Sequence, residues 1–267
     1  MILTILTPTL NCRNTIEDTI KSVISVENNF KGKVQHLVGD SGSEDGTVEL
    51  IKEYCNSYSF IKLFNLKSLN IPNTLNYLLT ISNGDYLLVM NGDDYILPNN
   101  FTNELKCILR DNFKGIYCAA IQVASQDSNY LGLRLVNLKS IKNFMSVNHP
   151  AMIAHKSVFA SVGAFDTKCP NSYDYCWTWK AYKSNINFKL SNTSIAYMRL
   201  GGISQKRARL AAREIFLYKI RANEKFNAYT NYIIFYFKLS VKNLLPRFIL
   251  GYLMKSYRKV KKSIDRY

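Results

Sequence analysis

The stretch that decides the fold is GDYLLVMNGDDYILP, residues 84–98. Tyr86 to Met90 form a short continuous apolar run, of the length and kind that becomes a buried central strand. Directly after it the chain sets Asp93 and Asp94 side by side. Adjacent carboxylates at the end of a buried strand are costly without a cation. The segment therefore predicts a sheet with a charged ligand at its edge.

Upstream, the same pattern of β-rich run, polar turn and helix-like segment recurs. Strands are expected over 2–7, 34–38 and 61–65, and helices near 15–26, 48–54 and 73–80, where apolar residues such as Ile16, Ile20, Val23 and Ile24 fall on one face. Such alternation predicts a parallel sheet with helices on both faces. Ligand loops in sheets of this kind lie at the carboxyl ends of the strands. The turns after Thr7, Val38 and Met90 all fall there, although they are far apart in sequence. Beyond residue 100 the pattern is less regular: strands are expected over 115–124, 148–154 and 195–199, and a helix over 175–182.

At 267 residues, 47% of them apolar, the chain is long enough for one large α/β domain plus an extension and too apolar to be disordered. Its charge is +16, and from Gln205 onward sixteen basic residues stand against three acidic ones, so +13 of the total lies there. A boundary near Gly202 follows, with a domain over 1–204 and a basic helical extension over 205–267. The six cysteines are scattered, without metal-ligand or disulfide spacing. The start MILTILTPTL lacks a basic leader, and a cytoplasmic location is expected.

Three segments carry chemistry. In LVGDSGSEDGT (37–47), Asp40 ends a strand among small residues that let backbone approach a ligand; the alternative is a plain turn in which Asp45 caps the next helix. In MNGDD (90–94), Asp93 and Asp94 offer the hard oxygens that Mg2+ or Mn2+ prefers, against the alternative of a solvated turn. In the third segment, His149 precedes an apolar strand and Asp174 opens an aromatic helix with Trp177 and Trp179. A structural histidine, a helix-start acid and core tryptophans are the simpler readings there.

Together these segments resemble the family 2 glycosyltransferases of the GT-A fold. The resemblance runs from TPTLNCRNTIEDTIKSV through VGDSGSEDGT, IPNTLNYLLTISNGDY, NGDD, HPAMIAHKSVFASVGAFD and YDYCWTWKAY to RLGGIS, covering about residues 3–204 in order. It implies an inverting transfer of a sugar from a nucleotide-sugar donor on a GT-A, Rossmann-like, mostly parallel sheet. By position, Asp40, Thr7, Pro8, Asn11 and Asp45 would line the base pocket, with Asn76, Asn91, Gly92, His149 and Arg199 also on the donor side. Asp93 would be the ligand for Mn2+ or Mg2+ with Asp94 beside it, Asn91 standing where the motif has its first acid. Asp174 would be the catalytic base, with Cys176 in place of the second acid and Lys180 as the basic residue.

The resemblance also implies UDP as the nucleotide and a lipid-linked saccharide acceptor in bacterial surface polysaccharide (O-antigen or capsule) synthesis. The tail, with Lys238, Lys242, Pro246 and Arg247 interrupting its apolar runs, is not expected to span a membrane. Amphipathic helices on an anionic surface suit it, Arg258, Lys259, Lys261 and Lys262 lying near headgroups at the inner face of the plasma membrane. Packing on the catalytic domain or a second subunit in a homodimer is the alternative. A sugar-phosphate nucleotidyltransferase is the competing enzyme, but TPTLNCRNT lacks the glycines of its phosphate loop. A non-catalytic homologue and a nucleic-acid-binding module are the other readings; the tail carries no base-reading motif, so nucleic acid is not an expected partner.

Overall fold

The structure, a computed structural model, describes residues 1–30, 32–125, 129–202 and 207–244. Ile203 and Ser204 of the GGIS motif, and tail residues Pro246, Arg247, Arg258, Lys259, Lys261 and Lys262, lie outside the described residues. The chain forms two compact units, residues 1–215 and the residues from Phe216 on.

In the first unit, β1 (Ile2–Thr9), β2 (Lys33–Asp40), β3 (Ile61–Asn65) and β4 (Tyr86–Val89) pair in parallel in the order β3-β2-β1-β4. The helices between them are α1 (Ile16–Asn29), α2 (Thr47–Ser57) and α3 (Ile71–Thr80). Local chemistry sets their limits. The Asn70 side chain accepts the Asn73 N–H at 3.0 Å to open α3, and Pro72 occupies its first turn, where a missing N–H costs nothing. Alternation along β2 sends neighbours to opposite faces: Val38 joins Ile16, Ile20, Leu50 and Ile51 of α1 and α2. Gly39 faces α3, so closely that a Cβ there would lie 2.6 Å from Thr74 Cγ2.

The second half of the sheet departs from a purely parallel arrangement. Past β4 come β8 (Met152–His155), β6 (Ile116–Ala124), β9 (Phe188–Arg199) and the short β5 (Tyr95–Ile96), with β7 (Tyr130–Arg134) on β6. Of these pairings only β6 with β9 is parallel. The strand expected over 148–154 is corrected to Met152–His155, because Pro150 lacks an N–H for the ladder and His149–Ala151 form a 3-10 turn. Strands β5 and β7 and helices α4 (Pro98–Arg110) and α5 (Lys156–Val162) had no sequence expectation, whereas α6 (Tyr173–Lys183) covers the predicted helix. One core joins Leu3, Ile5, Tyr86, Leu88 and Met90 to Val23 and Val26 of α1, to Phe101 and Leu105 of α4, and to Ile121 and Ile195. Each such side chain contributes about 1.5–3 kcal/mol on burial. This core fixes the height at which β1, β2 and β4 end.

Helix α7 (Ala208–Arg221) crosses the division between the units, and α8 (Lys225–Leu244) lies in the second. Among the described residues no helix is long and apolar enough to cross a membrane.

Inside the sheet, His36 is fully buried, and Thr7 Oγ1 lies 2.9 Å from its Nε2. Burial lowers its pKa from 6.5 to about 3. The unfolded chain therefore takes up a proton near pH 6.5 that the folded chain refuses. Stability is fully present above that pH and falls with acidification by up to about 1.4 kcal/mol per pH unit. Urea unfolding at about pH 7.5 and about pH 5 is expected to show a loss of about 2 kcal/mol from this group, and His36→Gln to remove that share of the slope.

Candidate active site

The parallel strands place three loops on one rim. The turn after β1 and the turn after β2 are stitched together: the Asn11 N–H donates to Ser43 Oγ at 2.8 Å, Glu44 N–H to Asn11 Oδ1 at 3.0 Å, Cys12 N–H to Thr47 Oγ1 at 2.9 Å and Arg13 N–H to Asp45 at 3.0 Å. Asn11 adopts φ 52°, a left-handed conformation that asparagine tolerates. The third loop, after β4, joins them where Thr15 Oγ1 donates to the Gly92 carbonyl at 2.8 Å.

The acids of this rim have different surroundings. Asp40 is buried; its carboxylate accepts the N–H groups of Gly42 and Ser43 at 2.9 and 2.8 Å and the hydroxyls of Thr9 and Ser43. These bonds shape the loop from within. Thr7 and Pro8 are likewise buried, and Thr7 turns to His36. Of the five residues expected at the base pocket, Asn11 and Asp45 are exposed on this rim, while Thr7, Pro8 and Asp40 lie buried beneath it. Asp45 also accepts the Thr47 N–H at 3.1 Å, the capping arrangement expected as an alternative.

After β4 the two adjacent acids separate in function. Asp94 is buried, and its Oδ1 accepts the Arg199 N–H at 3.1 Å, while its carbonyl accepts Thr19 Oγ1. Burial and the charge of Asp93 push its carboxyl well above the usual range, opposed by the bonds from Arg199 and Asn91. Its carboxyl thus faces inward, bonded to the backbone of β9. The Arg199 guanidinium donates to the Asp93 carbonyl at 2.9 Å, pairs with Asp18 and lies over the Tyr95 ring. Its charge thus braces the loop. Asn76 is also engaged elsewhere: its amide exchanges two 2.9 Å hydrogen bonds with the Phe165 backbone, pinning α3 to the segment before α6.

Asp93 remains the half-buried acid of the pair. Burial raises its pKa and Arg199 opposes the rise. A Cβ on Gly202 would lie 2.9 Å from its Oδ2, so this glycine keeps room for the carboxylate. Among the described residues no group of three or more His, Cys, Asp or Glu side chains could hold a metal. A desolvated carboxylate on a rigid strand end nevertheless fits the way Mg2+ or Mn2+ is held by one or two protein oxygens plus substrate phosphates.

Two residues without a sequence expectation show how the acids converge. Cys12 has its thiol pushed up to about 11, chiefly by burial, with Asp93, Asp45 and Asp40 adding to the rise. Tyr173, buried at the start of α6, feels Asp174, Asp94 and Asp93; its hydroxyl donates to Asn91 Oδ1 at 3.4 Å and its ring meets His149 edge-on at 5.4 Å. Asp93 is common to both groupings. His149 is buried with Nε2 unpartnered; burial lowers its pKa and Asp174 opposes this. Trp177 and Trp179 are buried, Trp177 stacking on Phe159 at 4.5 Å, so the core reading of the tryptophans holds. Only the tyrosine just ahead of Asp174 in SYDYCW hinted at the second grouping.

The sequence profile of Glycosyl transferase family 2 matches residues 4–190. The chain belongs to that family. Abequosyltransferase RfbV of Salmonella typhimurium is 31% identical over 88 residues, 32% of this chain and 26% of that protein. Cholesterol galactosyltransferase of Borreliella burgdorferi is 34% identical over 76 residues, 28% of this chain and 20% of that protein. The matches therefore span about a quarter or less of these relatives' length. Among solved structures, S. aureus TarS 1-349 in complex with UDP-GlcNAc superposes with a TM-score of 0.63 at 16% identity, over 82% of this chain and 66% of that one. The mannosyltransferase PcManGT from Pyrobaculum calidifontis, in complex with GDP-Man and Mn2+, gives a TM-score of 0.63 at 12% identity, over 97% and 79%. The family 2 glycosyltransferase thus has the α/β fold of the GT-A enzymes, and the nucleotidyltransferase alternative is set aside.

Proposed function

We propose that this glycosyltransferase inverts the anomeric centre as it moves a sugar from a nucleotide-sugar donor, UDP-linked, to a hydroxyl of a lipid-linked saccharide in bacterial surface polysaccharide assembly. The observation that carries the reading is the loop of Asp93, bonded through Gly92 to Thr15 on the side of the stitched loops and through Asn91 to Tyr173 at the start of α6. The donor's nucleoside would lie on the loops of Asn11 and Asp45 and its diphosphate at Asp93. The acceptor would approach from the side of His149 and Asp174. Asp93 would hold a Mg2+ or Mn2+ ion, which would supply Lewis-acid stabilisation of charge on the departing diphosphate. The likeness to an abequosyltransferase supports sugar transfer, the UDP-GlcNAc in the TarS complex supports the UDP reading beside the GDP-Man of the PcManGT complex, and the Mn2+ of the latter supports the divalent cation.

Asp174 takes the proton from the acceptor hydroxyl as its oxygen bonds to the anomeric carbon and the sugar–phosphate bond breaks on the opposite face. Asp174 sits in the first turn of α6 with Oδ1 accepting the Tyr175 N–H at 2.8 Å. His149 stays neutral in its buried setting and helps shape the pocket beside the base. Asp174→Asn is expected to retain donor binding by thermal shift and to lose turnover by about 10²–10⁴; turnover like the wild type removes Asp174 from the mechanism.

The basic extension fits an acceptor held at an anionic membrane. Helix α8 leaves Phe226, Ile233 and Phe237 81%, 65% and 68% exposed at helical spacing, a stripe suited to the lipid interface, on a segment rich in cations. Replacing all three by serine in the full chain is expected to abolish flotation with phosphatidylglycerol-containing vesicles. Undiminished flotation contradicts the membrane role of this helix.

A further inference from the structure

The base proposed above is the second residue of α6, and the anchoring of that first turn comes from a residue far along the chain. Ser172 is the residue before α6, but its hydroxyl makes no capping bond to its own helix. It donates instead to Glu214 Oε2 at 2.9 Å. The Asn171 N–H donates to the same oxygen at 2.9 Å, and the Asn171 side-chain amide donates to Oε1. Both oxygens of one carboxylate thus hold two consecutive residues immediately ahead of Tyr173 and Asp174. A negative charge there also suits the positive end of the helix dipole.

We infer that Glu214 is a positioning residue for catalysis, setting the first turn of α6 so that Asp174 faces the acceptor hydroxyl; the inference rests on Asp174 being the base. The later part of α6 has its own support, since Trp177 is buried among Phe159 and Phe165 and its Nε1 donates to the Gly163 carbonyl at 2.9 Å. Losing Glu214 therefore loosens the turn that carries Asp174 while the rest of the helix stays seated. The donor-side loops after β1 and β2 contact neither Asn171 nor Ser172 through any of the hydrogen bonds described above. Glu214 also follows closely on Arg199 and Gly202, which abut Asp93. One stretch of chain thereby reaches both the diphosphate side and the base side of the site.

A misplacement of about 1 Å in a reacting group can slow chemistry by about a hundredfold, and a turn that is loosened but still formed is expected to cost less. The test compares wild type, Glu214→Ala, Glu214→Gln, Asp174→Asn and the double variant Asp174→Asn/Glu214→Ala as full chains, reading kcat, donor KM and thermal unfolding. Glu214→Ala is expected to lower kcat about tenfold with donor KM within about twofold, and Glu214→Gln, which keeps one acceptor oxygen, to lose less. The double variant is expected to be no slower than Asp174→Asn alone, because there is no base left to misplace. A folded Glu214→Ala variant with wild-type kcat overturns the inference, as does a full tenfold further loss in the Asp174→Asn background. If Glu214→Ala does not fold, Glu214→Gln takes its place in the cycle. Wild-type turnover of Asp174→Asn marks the failure of the base assignment itself, separately from that of Glu214.

Discussion

The site depends on a reciprocal clamp between the ends of β4 and β9. Asp94 accepts the backbone N–H of Arg199, and the Arg199 guanidinium donates to the backbone carbonyl of Asp93. Asp94 thereby fixes the main chain of Arg199, and Arg199 that of Asp93, with Asp94 and Arg199 themselves buried. Burial and the Asp93 charge push the Asp94 carboxyl toward its neutral form, and the bonds from Arg199 and Asn91 act against them. Asp18 from α1 pairs with the same guanidinium, and Thr19 donates to the Asp94 carbonyl, so the first helix is drawn into the clamp. Asp93 is then held on a rigid support with its carboxylate at the rim, an arrangement suited to a charged ligand.

The β-rich runs and their helices could be read from the sequence because each buries a continuous apolar face. The stretch 84–98 carried both a strand and the acids after it, and α1 showed a clear apolar face, while the Asn70 cap that opens α3 two residues ahead of the expected helix emerged only from the structure. The short β5, with two residues, has too little pattern to announce itself, and exposed β7 lacks a buried face. The antiparallel placement of β8 depends on which strands it meets, which local residues do not specify.

Among the site residues, position along the chain was a better guide than role. Asp40, Asp93, Asp94 and Asp174 all stand at strand ends or at a helix start on or near the rim. Orientation decided the rest: Thr7 points to His36, Asp40 is enclosed by its own loop, Arg199 braces the acids and Asn76 ties down Phe165. Tyr173, Cys12 and Glu214 act through contacts over long sequence separations, and a reading from local motifs has no access to such contacts. The two aspartates of MNGDD, adjacent and chemically identical, differ only in that one faces the interior and the other the rim.

The central claim is that Asp93 is where the donor diphosphate and its cation meet the protein. Manganese titration by electron paramagnetic resonance, with and without a UDP-sugar, tests it most directly, because the free-ion signal reports binding without turnover. The account predicts Mn2+ uptake strengthened by the UDP-sugar in the wild type and weakened at least about tenfold in Asp93→Asn, a loss of about 1.4 kcal/mol. Equal Mn2+ affinity in the two proteins, with the UDP-sugar present, would contradict it.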